Sequence, residues 1–341
     1  MDFAPTEAQR DLSELTRGIL ADEPGDAIWA ALTKAGVLAA ALPESLGGNG
    51  FGILEQCTVA QELGRVAAAA PYVDSIMLGA AGIARFGTTA QQATWAAPAA
   101  NGDLLLTTAL SAEPVTARRA DNGWRLSGTR TGVPFAAEAD AVLVPTDNGV
   151  FLVTPTDSGV TISPQELVDQ APAGQLELDE AVLGEDHALD AAAAEWLAVT
   201  AAIGLSATQL GVTERALEMT AEYARTRVQF DRPIGTFQAV AQRLADAYID
   251  VEAIRLSLWQ AAWRASEDLP CAAEAETAKF WAADGGHRVA HTAVHVHGGM
   301  GIDTDHPLHR YFLAAKRNEF HLGHATDHLR ALGDILAAEP A

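Results

Sequence analysis

The hydrophobic period of this chain changes twice, and those two changes restrict its possible folds more than any other feature. From Glu7 to Ala100 apolar residues recur at helical spacing. Between Leu104 and Glu185 the pattern becomes short β-type runs separated by Gly, Pro, Asn and Asp. Strands are predicted at Leu104–Leu110, Trp124–Ser127, Ala141–Pro145, Val150–Thr154, Val160–Ser163 and Gln175–Leu178. From Ala191 onward the pattern is helical and Ala-rich, in four segments: Ala191–Arg227, Ala239–Glu267, Ala272–His297 and Pro307–Ala338. The expected class is α+β, with an N-terminal helical domain (1–100), a small antiparallel β barrel or sandwich (101–188) and a C-terminal four-helix bundle (189–341).

Charge narrows the functions open to such a chain. The formal net charge is −23 over 341 residues, so an extended nucleic-acid surface would be repelled over most of the protein. A local basic site for one phosphorylated cofactor remains compatible with that charge. No apolar run reads as a membrane span of roughly 18 or more residues, and the opening MDFAPTEAQRDL has no signal-peptide pattern, so a cytoplasmic protein with no membrane partner is expected. Cys57 and Cys271 sit in no CxxC or metal pattern and read as reduced core thiols.

Two loops invite a phosphate reading. Leu42–Gly50 is Gly-rich, but no GK[ST] follows it, which excludes a P-loop and leaves a connection between helices. The stretch ARTRVQFDRPIGTFQ, Ala224–Gln238, ends a long helix with Arg225 and Arg227, breaks at Arg232-Pro233-Ile234-Gly235, and restarts at Phe237-Gln238. A guanidinium, a ring and an amide at fixed positions suit a phosphate next to an aromatic ligand. On residue types alone, an ordinary helix connection with solvated arginines is the better reading.

The pattern R-x-x-F-x-x-P-I-x-x-F-Q over Arg227–Gln238 resembles the signature of the acyl-CoA dehydrogenases. ALPESLGGNGFG, Glu62-Leu63-Gly64-Arg65 and the helix–strand–helix order are similar to the same family, so the resemblance covers nearly the whole chain. It implies FAD as cofactor and a CoA thioester as substrate. It further implies that Arg227, Gln229, Phe230, Phe237 and Gln238 reach across a subunit interface to the FAD of a neighbouring chain. The run His297-Gly298-Gly299-Met300-Gly301 matches a family loop packed near the ADP part of the cofactor, which adds Gly298, Gly299 and, in the place of a frequent glutamine, His295.

Other family elements are eroded. The loop like T-E-P-x-A-G-S-D that helps hold a chain's own flavin ring becomes Ser111-Ala112-Glu113-Pro114-Val115-Thr116-Ala117-Arg118, and the W-I-T element becomes Thr131-Gly132-Val133-Pro134-Phe135. The resemblance places the catalytic glutamate at Leu322, and the alternative base of a minority of members at Ala201; neither residue can take a proton. Glu319 and His321 are the displaced alternatives, with Glu319 expected to be a surface carboxylate beside Lys316 and Arg317; Glu195 lies too far along its helix. All but one of the ten histidines fall between His287 and His328, and His287, His291 and His295 share one helix face; without a HExxH glutamate or a nearby cysteine they are assigned no metal.

Together these features resemble the short, non-catalytic partner chain of actinobacterial α2β2 steroid side-chain acyl-CoA dehydrogenases, which completes the FAD site of a catalytic chain. Two alternatives stand beside it: a self-sufficient flavoenzyme using Glu319 or His321, and a flavin-free scaffold or thioester-binding subunit.

Overall fold

Helices, strands and helices follow one another in the order the two period changes predict, in a computed structural model that describes residues 3–338 apart from 24 and 26. By internal contacts the chain divides into two units. One comprises Ala8–Gln56 and Ala69–Ala201; the other comprises Met1–Glu7, Cys57–Ala68 and Ala202–Ala341.

The first unit starts with α1 (Glu7–Asp22), α2 (Ile28–Lys34) and the beginning of α3 (Ile53–Arg65). A π-helical stretch, Tyr72–Ala80, runs into α4 (Ala81–Phe86) and is followed by α5 (Thr89–Gln91) and α6 (Ala97–Ala100). Thr88 starts α5 with a reciprocal cap: its hydroxyl accepts from Gln91 N and its own N–H donates to Gln91 Oε1 at 2.7 Å. Gly79 is required where this helical layer meets the sheet, because a Cβ there would lie 2.7 Å from Leu106 Cβ.

Seven strands form two sheets. β1 (Leu106–Thr108), β4 (Ala141–Thr146) and β5 (Gly149–Val153) make a three-stranded sheet in the order β1-β4-β5. β2 (Val115–Ala120), β3 (Gly123–Pro134), β7 (Ala173–Leu183) and β6 (Val160–Gln165) make a four-stranded antiparallel sheet in the order β2-β3-β7-β6. Both sheets bury one face in a common core of Val115, Leu126, Val142, Phe151, Leu176 and neighbours, with the Trp124 ring edge-on to Phe151 at 5.0 Å.

The sheets differ from the sequence expectation in three ways. β1 pairs with β4 in parallel, Leu106 opposite Ala141, because the long excursion through β2 and β3 brings the chain back in the same direction. β2 begins inside the stretch expected to be the Ser111–Arg118 loop; its exposed Thr116, Arg118 and Arg119 hid a strand that buries only Val115 and Ala117. β3 and β7 run well past their predicted ends, since register shifts between Leu126 and Gly128 and between Arg130 and Val133 break the two-residue alternation without ending the pairing.

The second unit is helical. It contains α7 (Ala193–Thr226) from Ala202 onward, α8 (Gln238–Ser266), α9 (Ala272–His297), α10 (Leu308–Phe320) and α11 (Ala325–Ala338), with a small hairpin of β8 (Val228–Gln229) and β9 (Arg232–Pro233). The predicted fourth segment is therefore two helices: Leu322 (φ 64°) and Gly323 (φ 98°) turn left-handed and end α10. Close packing rests on small residues. A Cβ at Gly286 of α9 would meet Gln209 Nε2 at 2.0 Å, and one at Gly211 of α7 would meet Gln61 O of α3 at 1.9 Å.

Buried charge holds this unit together as well. Glu214 on α7 accepts from Gln61 Nε2 at 2.9 Å and Arg65 NH1 at 2.9 Å, both on α3, and pairs with Arg255 NH1 on α8 at 2.6 Å. Asp250 on α8 takes a two-pronged contact from Arg288 on α9, at 2.6 and 2.9 Å. Among the described residues one helix, Ala193–Thr226, is long and apolar enough to cross a membrane, a feature the sequence reading missed; 78% of that apolar window is buried inside the protein, as in a core helix.

Candidate functional site

The last turn of α7 and the connection to α8 gather five of the residues singled out above. Arg227 N donates to Tyr223 O at 2.8 Å, and Ile234 N to Arg227 O at 2.8 Å, which closes the β8–β9 hairpin over its base. Between the strands, Phe230 (φ 51°) and Asp231 (φ 61°) both lie in the left-handed region, the geometry of a two-residue type I′ turn. Such turns favour Asn and Gly. A phenylalanine there is strained, and at 86% exposure it gains nothing from this chain's own core.

Phe237 precedes α8. Its ring stacks under the Arg232 guanidinium at 4.3 Å and edge-on to Phe230 at 6.2 Å. Phe237, at the start of α8, supplies no side-chain cap to the first N–H groups of the helix, and Gln238 there is exposed. Gln229 turns its amide back on Val228 O at 2.9 Å. Arg225 is spent on a surface pair with Glu222 at 2.9 Å, whereas exposed Arg227 has no carboxylate partner among the described residues. The expected arginine cluster therefore reduces to Arg227.

Gly298 and Gly299 follow α9 in an exposed turn, with Gly298 at φ 64°. A Cβ on either would meet nothing within 4 Å, whereas one on Gly301 would lie 2.9 Å from Val294 Cα. Gly301 serves packing; Gly298 and Gly299 offer bare backbone to something outside this chain. His295 is exposed on the last turn of α9. Tyr223 links the two elements: its ring stacks on His297 at 4.3 Å with 19° between planes, and its hydroxyl lies 3.9 Å from Met300 Sδ. Sequence reasoning missed Tyr223, although its place one helical turn before Arg227 puts both on one face.

The two positions at which the family resemblance implies a base, Leu322 and Ala201, contain no carboxylate. Leu322 forms the left-handed turn between α10 and α11, and Ala201 is buried at 1% exposure. Glu319 is not a surface carboxylate, contrary to expectation. Its side chain is only 12% exposed and is held by Lys316 Nζ at 2.6 Å and His287 Nδ1 at 3.1 Å, because α9 lays His287 across it. Burial, then the charges of Arg317 and Lys279, push His321 down to about 3, although the residue keeps partial exposure. An imidazole of that pKa is a poor acceptor for an α-proton. Within the predicted histidine face, the His287 and His291 rings pack 4.3 Å apart, and burial followed by His287 lowers the pKa of His291.

The β sheets present the other element, Thr131–Phe135, and three of its donors are used internally. The Thr131 hydroxyl goes to Glu113 Oε1, Gly132 N to Gln165 Oε1 at 2.7 Å, and Phe135 N to Pro172 O at 3.0 Å, while Pro134 has no N–H. Arg130, 8% exposed, reaches Ser111 O and Pro145 O. A flavin ring needing backbone and hydroxyl donors from Thr131–Phe135 does not fit this edge. The Arg227 hairpin and the Gly298–Gly299 turn, with a cation that has no carboxylate partner among the described residues, helix N–H groups without a side-chain cap and bare backbone, do fit a dinucleotide's phosphates and adenosine part.

Comparison with known proteins identifies the lineage. The acyl-CoA dehydrogenase N-terminal domain matches residues 2–103, and the acyl-CoA dehydrogenase C-terminal domain matches residues 192–335. The chain belongs to the acyl-CoA dehydrogenase family, whose cofactor is FAD. Acyl-CoA dehydrogenase FadE27 of Mycobacterium tuberculosis is 49% identical over 373 residues, covering 100% of both chains. A chain of the ChsE4-ChsE5 complex from Mycobacterium tuberculosis superposes with a TM-score of 0.96 at 49% identity, covering 100% of each. A Tcur3481-Tcur3483 steroid ACAD variant superposes at 0.91 with 38% identity, over 97% of this chain and 98% of that one.

Proposed function

We propose that this chain is the non-catalytic subunit of an α2β2 acyl-CoA dehydrogenase, completing the FAD site of a catalytic partner that oxidises a bulky, steroid-type CoA thioester in the cytoplasm. The observation that carries the proposal is the internal use of the Thr131 hydroxyl, Gly132 N–H and Phe135 N–H by Glu113, Gln165 and Pro172. A chain that cannot offer these donors to a ring, yet presents Arg227 without a carboxylate partner among the described residues and Phe230 at 86% exposure, is suited to the cofactor of another chain. Leu322 and Ala201 at the base positions agree with that division.

In this reading FAD supplies the hydride acceptor, and one FAD serves each heterodimer. Arg227 neutralises pyrophosphate charge, Gln238 and the first N–H groups of α8 donate beside it, Phe230 and Phe237 cover the ring system's edge, and the Gly298–Gly299 backbone lies along the adenosine part with His295 nearby. The partner supplies the carboxylate that takes the α-proton. The relatives in complexes of two differently named chains support the pairing by analogy.

The test is expression of this chain alone and together with a catalytic acyl-CoA dehydrogenase chain. Flavin colour and dehydrogenase activity are expected only on co-expression, and Arg227→Ala should strip FAD from the complex without dissociating it. Yellow, active protein from this chain alone would overturn the proposal in favour of a self-sufficient enzyme. An assembled complex without flavin would favour the scaffold.

A further inference from the structure

We propose that Tyr223 and His297 form a positioning pair that fixes the Gly298–Ile302 turn against the Arg227 hairpin and so sets the affinity for FAD. The inference rests on the cofactor-completing role above. Its starting point is mechanical: Arg227 and the two open glycines lie on separate elements, the end of α7 and the end of α9, and both sets are exposed. Nothing lies within 4 Å of a Cβ built on Gly298 or Gly299, so the turn has no packing of its own at those positions. A phosphate-and-adenosine grip split between such elements needs a brace of fixed length, since ordering loose elements at the moment of binding weakens affinity.

Tyr223 is placed to be that brace. Its carbonyl accepts from Arg227 N at 2.8 Å, so the ring and the arginine move together. That ring lies nearly parallel to His297, 4.3 Å away, and its hydroxyl reaches Met300 Sδ at 3.9 Å, in the middle of the turn. His297 is itself anchored. It is 5% exposed, its Nδ1 lies 2.9 Å from Ala293 O, and the His306 ring packs 5.4 Å from it on the side of the turn leading to α10. A carbonyl only accepts, so Nδ1 carries the proton, and burial holds the pKa below its ordinary value, leaving an uncharged ring to stack.

The stack is not needed to fill the core. The apolar clusters joining α7, α9 and α10 run through Val212, Ala290 and Ala315 and through Ala216, Ala293 and Leu308. Tyr223 lies beyond them, partly exposed, at the level of the turn. What its ring secures is the spacing between the Gly298–Gly299 backbone and Arg227.

The experiment is FAD titration of the deflavinated complex with the catalytic chain, followed by flavin fluorescence. Tyr223→Leu and His297→Leu are each expected to weaken FAD binding about fivefold to tenfold, the size of an aromatic pair contribution. Their combination should weaken it no further than either alone, and Tyr223→Phe, which keeps the stack, should stay within about twofold of wild type. Wild-type affinity in both leucine variants, with Arg227→Ala weakened, would overturn the positioning pair alone. Wild-type affinity in Arg227→Ala as well would overturn the cofactor-completing role and the pair with it. If a leucine variant fails to assemble, His297→Phe and His297→Gln decide: the proposal requires tight binding with the flat ring and about fivefold weaker binding without it.

Discussion

Lys279 Nζ donates to Gly323 O at 3.1 Å from a residue with 0% exposure, one position after the left-handed Leu322. The lysine ties α9 to the turn between α10 and α11. Its burial is the largest influence on its pKa, which falls to about 8 against the opposing charges of Glu276, Glu319 and Asp327.

That shift predicts a pH dependence with a definite sign. The folded protein releases the Lys279 proton near pH 8, the unfolded chain only near 10.5, so between these values the unfolded state binds more protons and rising pH favours folding. Across that window wild type should gain up to about 3 kcal/mol relative to Lys279→Met. Urea unfolding from pH 7 to 10 measures the difference, and parallel curves for the two proteins would count against it.

His321 should act at the other end of the scale. Its folded pKa of about 3 lies below the ordinary 6.5, so its contribution is present above pH 6.5 and is lost as pH falls toward 3. The loss is at most about 1.4 kcal/mol per pH unit, and less where the residue's partial exposure lets water screen the charge. His321→Gln should flatten the stability profile between pH 6.5 and 4 in chemical denaturation, and an unchanged slope would remove the claim.

Phe230 at φ 51° and 86% exposure separates stability from function. Replacing it with glycine, which adopts that backbone without strain, should stabilise the isolated chain by about 1 kcal/mol. The same substitution should reduce FAD retention in the complex. Differential scanning calorimetry and flavin content give the two readings, and a variant improved in both would show that the exposed ring has no cofactor role.

Glu214 joins α3, α7 and α8 through Gln61, Arg65 and Arg255. Burial is the largest single influence on both arginines and lowers their pKa, but contacts with the carboxylates together outweigh it and raise both. Glu214→Ala leaves the amide and two guanidiniums short of a partner, and should cost about 2 kcal/mol after allowing for the solvent that reaches the arginines. Arg65→Met leaves Glu214 with Gln61 and Arg255, and Glu218 with Arg215 at 3.1 Å, so it is expected to cost no more than the glutamate change. Guanidinium denaturation midpoints rank the two.

The order of helices, strands and helices, the break after Arg227, and the identity of Leu322 and Ala201 were legible in the sequence by itself. Hydrophobic period, Gly and Pro punctuation and residue chemistry are local properties, and the family signature over Arg227–Gln238 is a string. What only tertiary structure decided is which partners those residues have. The parallel pairing of β1 with β4, the capture of Glu319 by His287, the placement of Lys279 under Gly323 and the stacking of Tyr223 on His297 each join positions far apart in the chain. So does the capture of the Thr131 hydroxyl and the Gly132 and Phe135 N–H groups by Glu113, Gln165 and Pro172. A hydrogen bond or a stack depends on distances of a few ångströms between elements, and those distances are set by how small residues such as Gly211 and Gly286 let helices approach, which no local pattern records.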